Sequence, residues 1–155
     1  MFFDDPQAAF ANIAAALRPG GRLAFVCWQE AARNEFMAVP FAAVAAYAAL
    51  PELPAAGEPG PFSLADPDRI RSLLAGAGLR GIGVEGLEEP LRVGDDVEDV
   101  IGYYRRLPLA RQMLADAGDP AAAAGIEALR EALRAYQGSD GVTLRSAAWL
   151  ATARR

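Results

Sequence analysis

Histidine and lysine are absent from this chain, and cysteine occurs once, at Cys27. Without histidine, neither a Ser-His-Asp triad nor a histidine-held metal can be built. A single cysteine excludes an intrachain disulfide framework and fits a reducing compartment. Arginine carries every positive side chain. Together with the alanine, glycine and proline richness, this reflects coding bias more than function, so the alanine-rich runs carry little weight. The arginines are scattered, with Arg105-Arg106 and Arg154-Arg155 the densest pairs. The net charge is −5 and the pI near 4.8, which argues against a nucleic-acid face. No apolar run approaches the ~18 residues of a membrane span. The opening Phe2-Phe3-Asp4-Asp5 has no basic region of the kind that starts a signal peptide. A soluble cytoplasmic protein is expected. Glu88-Glu89 and Asp95-Asp96 pair carboxylates, but without a second ligand cluster they do not predict a metal site.

What is present reads as a globular domain. Hydrophobic residues make up 53% and charged residues 23%, outside the range of disordered chains. With 155 residues, the chain has the length of one domain that removes roughly 70% of its unfolded surface from water. Asp4 or Asp5 can cap a helix with Pro6 in its first turn, and Phe10, Ile13, Ala14 and Leu17 form its apolar stripe. Pro19-Gly20-Gly21 ends it. Leu23 to Trp28 has no polar alternation and predicts a strand covered on both faces. No strand precedes the first helix, so the chain reads as the second part of a larger α/β domain.

Asn34 predicts a helix to about Ala49, with Phe36, Val39, Ala43 and Tyr47 on one side and Pro40 bending or dividing it. Leu50 to Pro61 is a loop. Asp66-Pro67 starts a helix through Ile70, Leu73, Leu74 and Ala77, with Gly76 and Gly78 as its stop. Arg80 to Val93 reads as extended, with Gly81, Gly83 and Gly86 as bends and close packing in an irregular strand. Asp95 or Asp96 caps a helix, a further one runs from Leu109 to Ala117, and Asp119-Pro120 opens another. Ser139-Asp140-Gly141 is a turn, and Val142 to Ala153 forms the last strand.

Several segments carry a resemblance: Met1 to Pro6, Phe10-Ala11-Asn12-Ile13, Leu17-Arg18-Pro19-Gly20-Gly21-Arg22-Leu23, Gly60-Pro61-Phe62-Ser63-Leu64 and the terminal Ala148-Trp149-Leu150-Ala151-Thr152-Ala153. In this order they resemble the C-terminal half of the class I S-adenosylmethionine-dependent methyltransferases. The resemblance implies an α/β, partial Rossmann-like methyltransferase fold. One crossover strand and a C-terminal antiparallel pair, about three strands, would lie in the family order fifth, seventh, sixth, flanked by helices on both faces. The whole chain would be a single domain with a helical insertion at about 95–137. A self-contained helical bundle is the alternative, opposed by the two apolar strands.

The resemblance also implies methyl transfer to a small-molecule acceptor. Met1, Phe2 and Phe3 would lie beside the cofactor's methionine end. Trp28 and Gln29 would stand at the carboxyl end of their strand, where open α/β sheets bind ligands. Phe36, Met37, Phe41, Tyr103 and Tyr104 would line the acceptor pocket. Phe2, Phe3, Phe36 and Phe41 serve equally as core, Trp28 as packing between helix and sheet, and Cys27 as a small buried apolar residue. No catalytic residue is assigned, because an activated sulfonium donor works largely through orientation. The family's glycine-rich cofactor loop and ribose-binding acid have no counterpart here. The expected function is therefore the acceptor-side portion of a methyltransferase, binding no S-adenosylmethionine and inactive by itself. The alternative is a non-catalytic module that forms a homodimer or binds a partner by strand pairing along the open Leu23–Trp28 edge. A nicotinamide-dependent α/β enzyme is a third reading, weakened by the same missing glycine loop.

Overall fold

The computed structural model describes residues 1–50, 52, 54 and 57–155, which form a mixed α/β chain. In chain order the elements are α1 (Pro6–Ala16), β1 (Arg22–Trp28), α2 (Glu35–Val44), α3 (Pro67–Gly76), β2 (Arg80–Gly94), α4 (Val97–Arg106), α5 (Pro108–Ala117), α6 (Asp119–Arg134), β3 (Gln137–Gly138) and β4 (Gly141–Arg154). The four strands make an open, mostly antiparallel sheet in the order β1-β4-β2, with the two-residue β3 also pairing with β4. β4 therefore lies between β1 and β2, as the expected order of three strands requires, and the all-helical alternative is excluded. Of the loop expected from Leu50 to Pro61, residues 51, 53, 55 and 56 lie outside the described residues. No described helix is long and apolar enough to cross a membrane.

The chain divides into two compact units. The first comprises Met1–Ala31, Pro54–Glu88 and Ala147–Arg155. Its helices start where local chemistry dictates. Asp5 accepts a hydrogen bond from Ala8 N at 2.9 Å and Asp66 accepts one from Asp68 N at 2.8 Å, each followed by a proline whose missing N–H costs nothing there. Gly76 lets α1 and α3 approach closely: a Cβ on it would stand 2.7 Å from Gln7 Oε1. The Arg155 guanidinium caps the C-terminal carbonyls of α1, donating to Ala15 O and Leu17 O. Phe10, Ala14, Cys27, Ile70, Leu73, Leu74 and Ala151 form the core of this unit.

β1 pairs antiparallel with β4 from Arg22↔Arg154 to Trp28↔Ala148. Its coverage corrects the expectation of a strand covered on both faces. Cys27 is buried, and Leu23 and Phe25 pack against the core, but Val26 on the opposite face is 55% exposed. Alternate side chains point to opposite faces, and the core of this unit meets only one of them. β2 carries Gly83 and Gly86 where close packing needs them, while Gly81 has a positive φ and open space beside it. A Cβ on Gly83 would lie 2.9 Å from Thr152 Oγ1, and one on Gly86 would lie 3.4 Å from the Trp149 ring.

The second unit comprises Ala32–Leu53 and Glu89–Ser146. Val100, Ile101, Leu129, Leu133, Val142 and Leu144 make its core. Asp96 caps α4, accepting from Asp99 N at 2.8 Å. Asp119 departs from the expected pattern: Gly118 is the N-cap of α6, and Asp119 occupies the first turn without a side-chain cap bond. There its carboxylate still faces the positive end of the helix dipole. β3 and β4 join through the Ser139-Asp140 turn, where Gly141 has φ +110° and a Cβ would stand 2.3 Å from Gly94 O.

α2 runs through Pro40 as one helix, and it stops at Val44 instead of at about Ala49 as expected. Proline removes the bond that residue 40 would give the carbonyl of Phe36. The Tyr104 hydroxyl makes up the loss by donating to Phe36 O at 2.6 Å. After Val44, Tyr47 N bonds to Val44 O at 2.9 Å, and the Tyr47 ring turns onto Gly125 of α6, whose missing side chain leaves room for it.

Candidate functional site

Met1, Phe2, Phe3, Trp28 and Gln29 belong to the first unit. Phe2 and Phe3 are 69% and 46% exposed, so neither is a core anchor. Met1 is tethered at its carbonyl, which accepts from Gly60 N at 3.1 Å and Ser63 Oγ at 2.7 Å. Gln29 is buried and extends the pairing of β1, donating from its backbone to Ala147 O at 3.0 Å and from Nε2 to Ala148 O at 2.7 Å. Those bonds hold its amide to the sheet. Trp28 is partly buried opposite Ala148. A hollow of about 200 Å³ lies along β1, lined by Met1, Phe3, Phe10, Phe25, Val26 and Cys27 among others. Burial pushes the Cys27 thiol up to about 11, and its Sγ lies 3.7 Å from Leu64 O, so it serves as packing and not as a nucleophile.

The fit of a nucleoside cofactor can be judged from the glycines. Gly81, Gly83 and Gly86 lie inside β2, and the space above Gly83 and Gly86 is filled by Thr152 and Trp149. None of the three opens a helix, and Gly83 and Gly86 leave no cradle for a phosphate or ribose. Among the described residues, no group of three or more acids or cysteines is placed to hold a metal ion.

Phe36, Met37, Phe41, Tyr103 and Tyr104 belong to the second unit, where a cavity of about 130 Å³ is bounded by α2, α4, α5 and α6. Met37, Phe41 and Tyr104 line it; Phe36 and Tyr103 do not. Phe36 packs into the core. Tyr103 is 50% exposed and sets its ring edge-on to Tyr104, centroids 5.7 Å apart. Tyr104 has its hydroxyl committed to Phe36 O, and burial, with Tyr103 nearby, pushes it up to about 12. It is a neutral phenol that holds α2 to α4, and it is not a base near neutral pH.

The rest of the wall was not foreseen from the sequence. Leu109, Met113 and Leu114 come from α5, and Ala122, Gly125 and Ile126 from α6. One signal for it was available: an isolated glycine inside a strongly periodic helix, Gly125, marks a close approach. At the entrance to α2, Glu35 grips Arg145 of β4. Its carboxylate accepts from Arg145 N at 2.7 Å, Nε at 2.9 Å and Nη2 at 2.7 Å, which holds its pKa below the usual glutamate range. The cavity is an apolar space among four helices, with a shape that can orient a ligand. Compared with known protein families and with curated proteins, the chain matches none of either.

Proposed function

We propose that this chain is the acceptor-side portion of a class I S-adenosylmethionine-dependent methyltransferase with a partial Rossmann-like fold, in which the helical cavity receives a small-molecule acceptor. The observation that carries the reading is the strand order. The C-terminal strand β4 is inserted between β1 and β2 and runs antiparallel to β1, the strand that closes the helix–Pro-Gly-Gly–strand pattern of residues 6–28. Met37, Phe41 and Tyr104 offer aromatic and apolar surface to the acceptor. In this reading Met1, Phe2 and Phe3 lie toward the cofactor, whose glycine loop and ribose-binding acid belong to a preceding segment or another chain. Nothing in the chain's glycine cluster fits that role.

The test expresses the longest reading frame that contains these 155 residues and measures transfer of labelled methyl from S-adenosylmethionine to a panel of neutral aromatic acceptors. Transfer that falls when Phe41 is changed to alanine is expected. S-adenosylmethionine bound in calorimetry by these 155 residues alone, or no transfer by a longer product that carries a glycine-rich loop, overturns the reading.

A second reading has its own observation. β1 ends the sheet order, and the hollow beside it is lined by Leu23, Phe25, Val26 and Cys27 of that strand. A second copy of the same strand fits that edge, which makes the chain a non-catalytic self-associating module. Sedimentation decides it: a dimer that dissociates on Val26→Lys supports the second reading, and a monomer at high concentration removes it.

A further inference from the structure

The cavity among α2, α4, α5 and α6 measures about 130 Å³. For comparison, an apolar engineered cavity of about 150 Å³ takes up benzene. The polarity of the wall is almost entirely accounted for. Tyr104 spends its hydroxyl on the carbonyl that Pro40 leaves without an N–H. Arg105, the one charged wall residue, is exposed and keeps its guanidinium in water. The surface that the wall presents is almost wholly apolar. A ligand entering here gains surface contact and no hydrogen bond, so a charged or strongly solvated group would lose water without replacement. Tyr47 and Leu109, 40% and 43% exposed, mark the side that opens to solvent.

We infer that this cavity is a binding site for a small, uncharged, ring-sized apolar molecule, any polar substituent of which points out past Tyr47 and Leu109. As a statement about the methyl acceptor this rests on the reading given above; as a statement about the site it rests on the cavity alone.

The chain has three methionines, and two of them, Met37 and Met113, are in the cavity wall, while Met1 belongs to the first unit. Toluene is titrated into the full chain carrying labelled methionine methyls, with benzoate as the charged counterpart. Saturable shifts of Met37 and Met113, with benzoate inert, are expected. No saturable shift, a shift of Met1 alone, or benzoate binding as tightly as toluene overturns the inference. Ala122→Leu fills part of the cavity and should weaken toluene binding about tenfold, the worth of one or two buried methylenes. If that variant does not fold, Ala110→Leu from α5 carries the same test, and unchanged affinity counts against the site. The outcomes separate from those of the methyl-transfer assay. Toluene binding without methyl transfer leaves the site and removes the enzyme. Methyl transfer to a charged acceptor without toluene binding does the reverse.

Discussion

The hollow along β1 and the cavity among the four helices differ in what their walls leave unmet. The first borders a strand at the end of the sheet order, and a strand edge recognises another strand through backbone N–H and C=O groups. The second is walled almost wholly by apolar surface, and the carbonyl that Pro40 leaves without an N–H is already bonded to Tyr104. An edge with unpaired peptide groups selects a chain; an apolar wall selects by volume and shape. On the two proposals made above, these places take different kinds of occupant.

The largest expected effect separates filled core from cavity wall. Leu74 of the first unit is fully buried, and Leu74→Ala should cost ~2–5 kcal/mol. Met113, partly exposed at the cavity, already lacks packing partners on one side, so Met113→Ala should cost about 1 kcal/mol or less. The two are readily monitored apart. Trp28 and Trp149 are both in the first unit, while Tyr47, Tyr103, Tyr104 and Tyr136 are all in the second. Urea unfolding followed by tryptophan emission and by tyrosine absorbance reports each unit by its own chromophore. Equal costs for the two variants would mean that the cavity wall is ordinary core.

The next effect tests whether the backbone of the helical wall is closed as described. Tyr104→Phe leaves the Phe36 carbonyl without its partner and should cost ~1–3 kcal/mol. Pro40→Ala restores an N–H in α2 that can reach that carbonyl, and in that background Tyr104→Phe should cost clearly less. A double-mutant cycle with no coupling would show that the hydroxyl and the proline are unrelated.

How far such features were readable in advance depended on whether they were local. The Asp5-Pro6 and Asp66-Pro67 starts were legible because a cap and its first turn lie within four residues. The close packing of Gly83 and Gly86 in β2 was legible because glycine inside an extended run has few other uses. The end of α2 at Val44 was not, because it depends on Tyr47 meeting Gly125, far along the chain. β3 is two residues long and exists only through its pairing with Val142 and Gly141. Of the residues expected to line an acceptor pocket, Met37, Phe41 and Tyr104 meet at the cavity, while Phe36, one residue from Met37, turns into the core. Helical periodicity indicates an apolar face but not which part of it a neighbouring helix covers.

Gly125 gives the next smaller effect. A Cβ there would meet Tyr47 Cβ at 3.4 Å and Val44 Cγ1 at 3.9 Å, ordinary contact distances. Gly125→Ala should therefore stabilise the second unit by ~0.5–1 kcal/mol through helix propensity, and reduce the cavity slightly. A lower urea midpoint by the tyrosine signal would show that Tyr47 cannot give way, and that the wall is stiffer than the contacts imply.

The smallest effect concerns the charge that fixes the start of α2. Arg145 holds Glu35 below the ordinary carboxylate value first by hydrogen bonding, with its positive charge adding to the same direction. In the unfolded chain Glu35 titrates at its ordinary value, so on acidification the unfolded state takes up the proton first. Stability therefore rises with pH through the window between the two values, is fully present above the ordinary value, and is lost as pH falls through the depressed one. Arg145 is 77% exposed, and ion pairs in water contribute only ~0.2–1 kcal/mol. Glu35→Gln should thus lower the tyrosine-monitored urea midpoint at pH 7, and the difference from the unaltered chain should close as pH falls through the depressed value, where the native glutamate protonates. A difference that persists unchanged into acid would assign the role of residue 35 to packing at the first turn of α2, and the helical wall would then owe nothing to this charge.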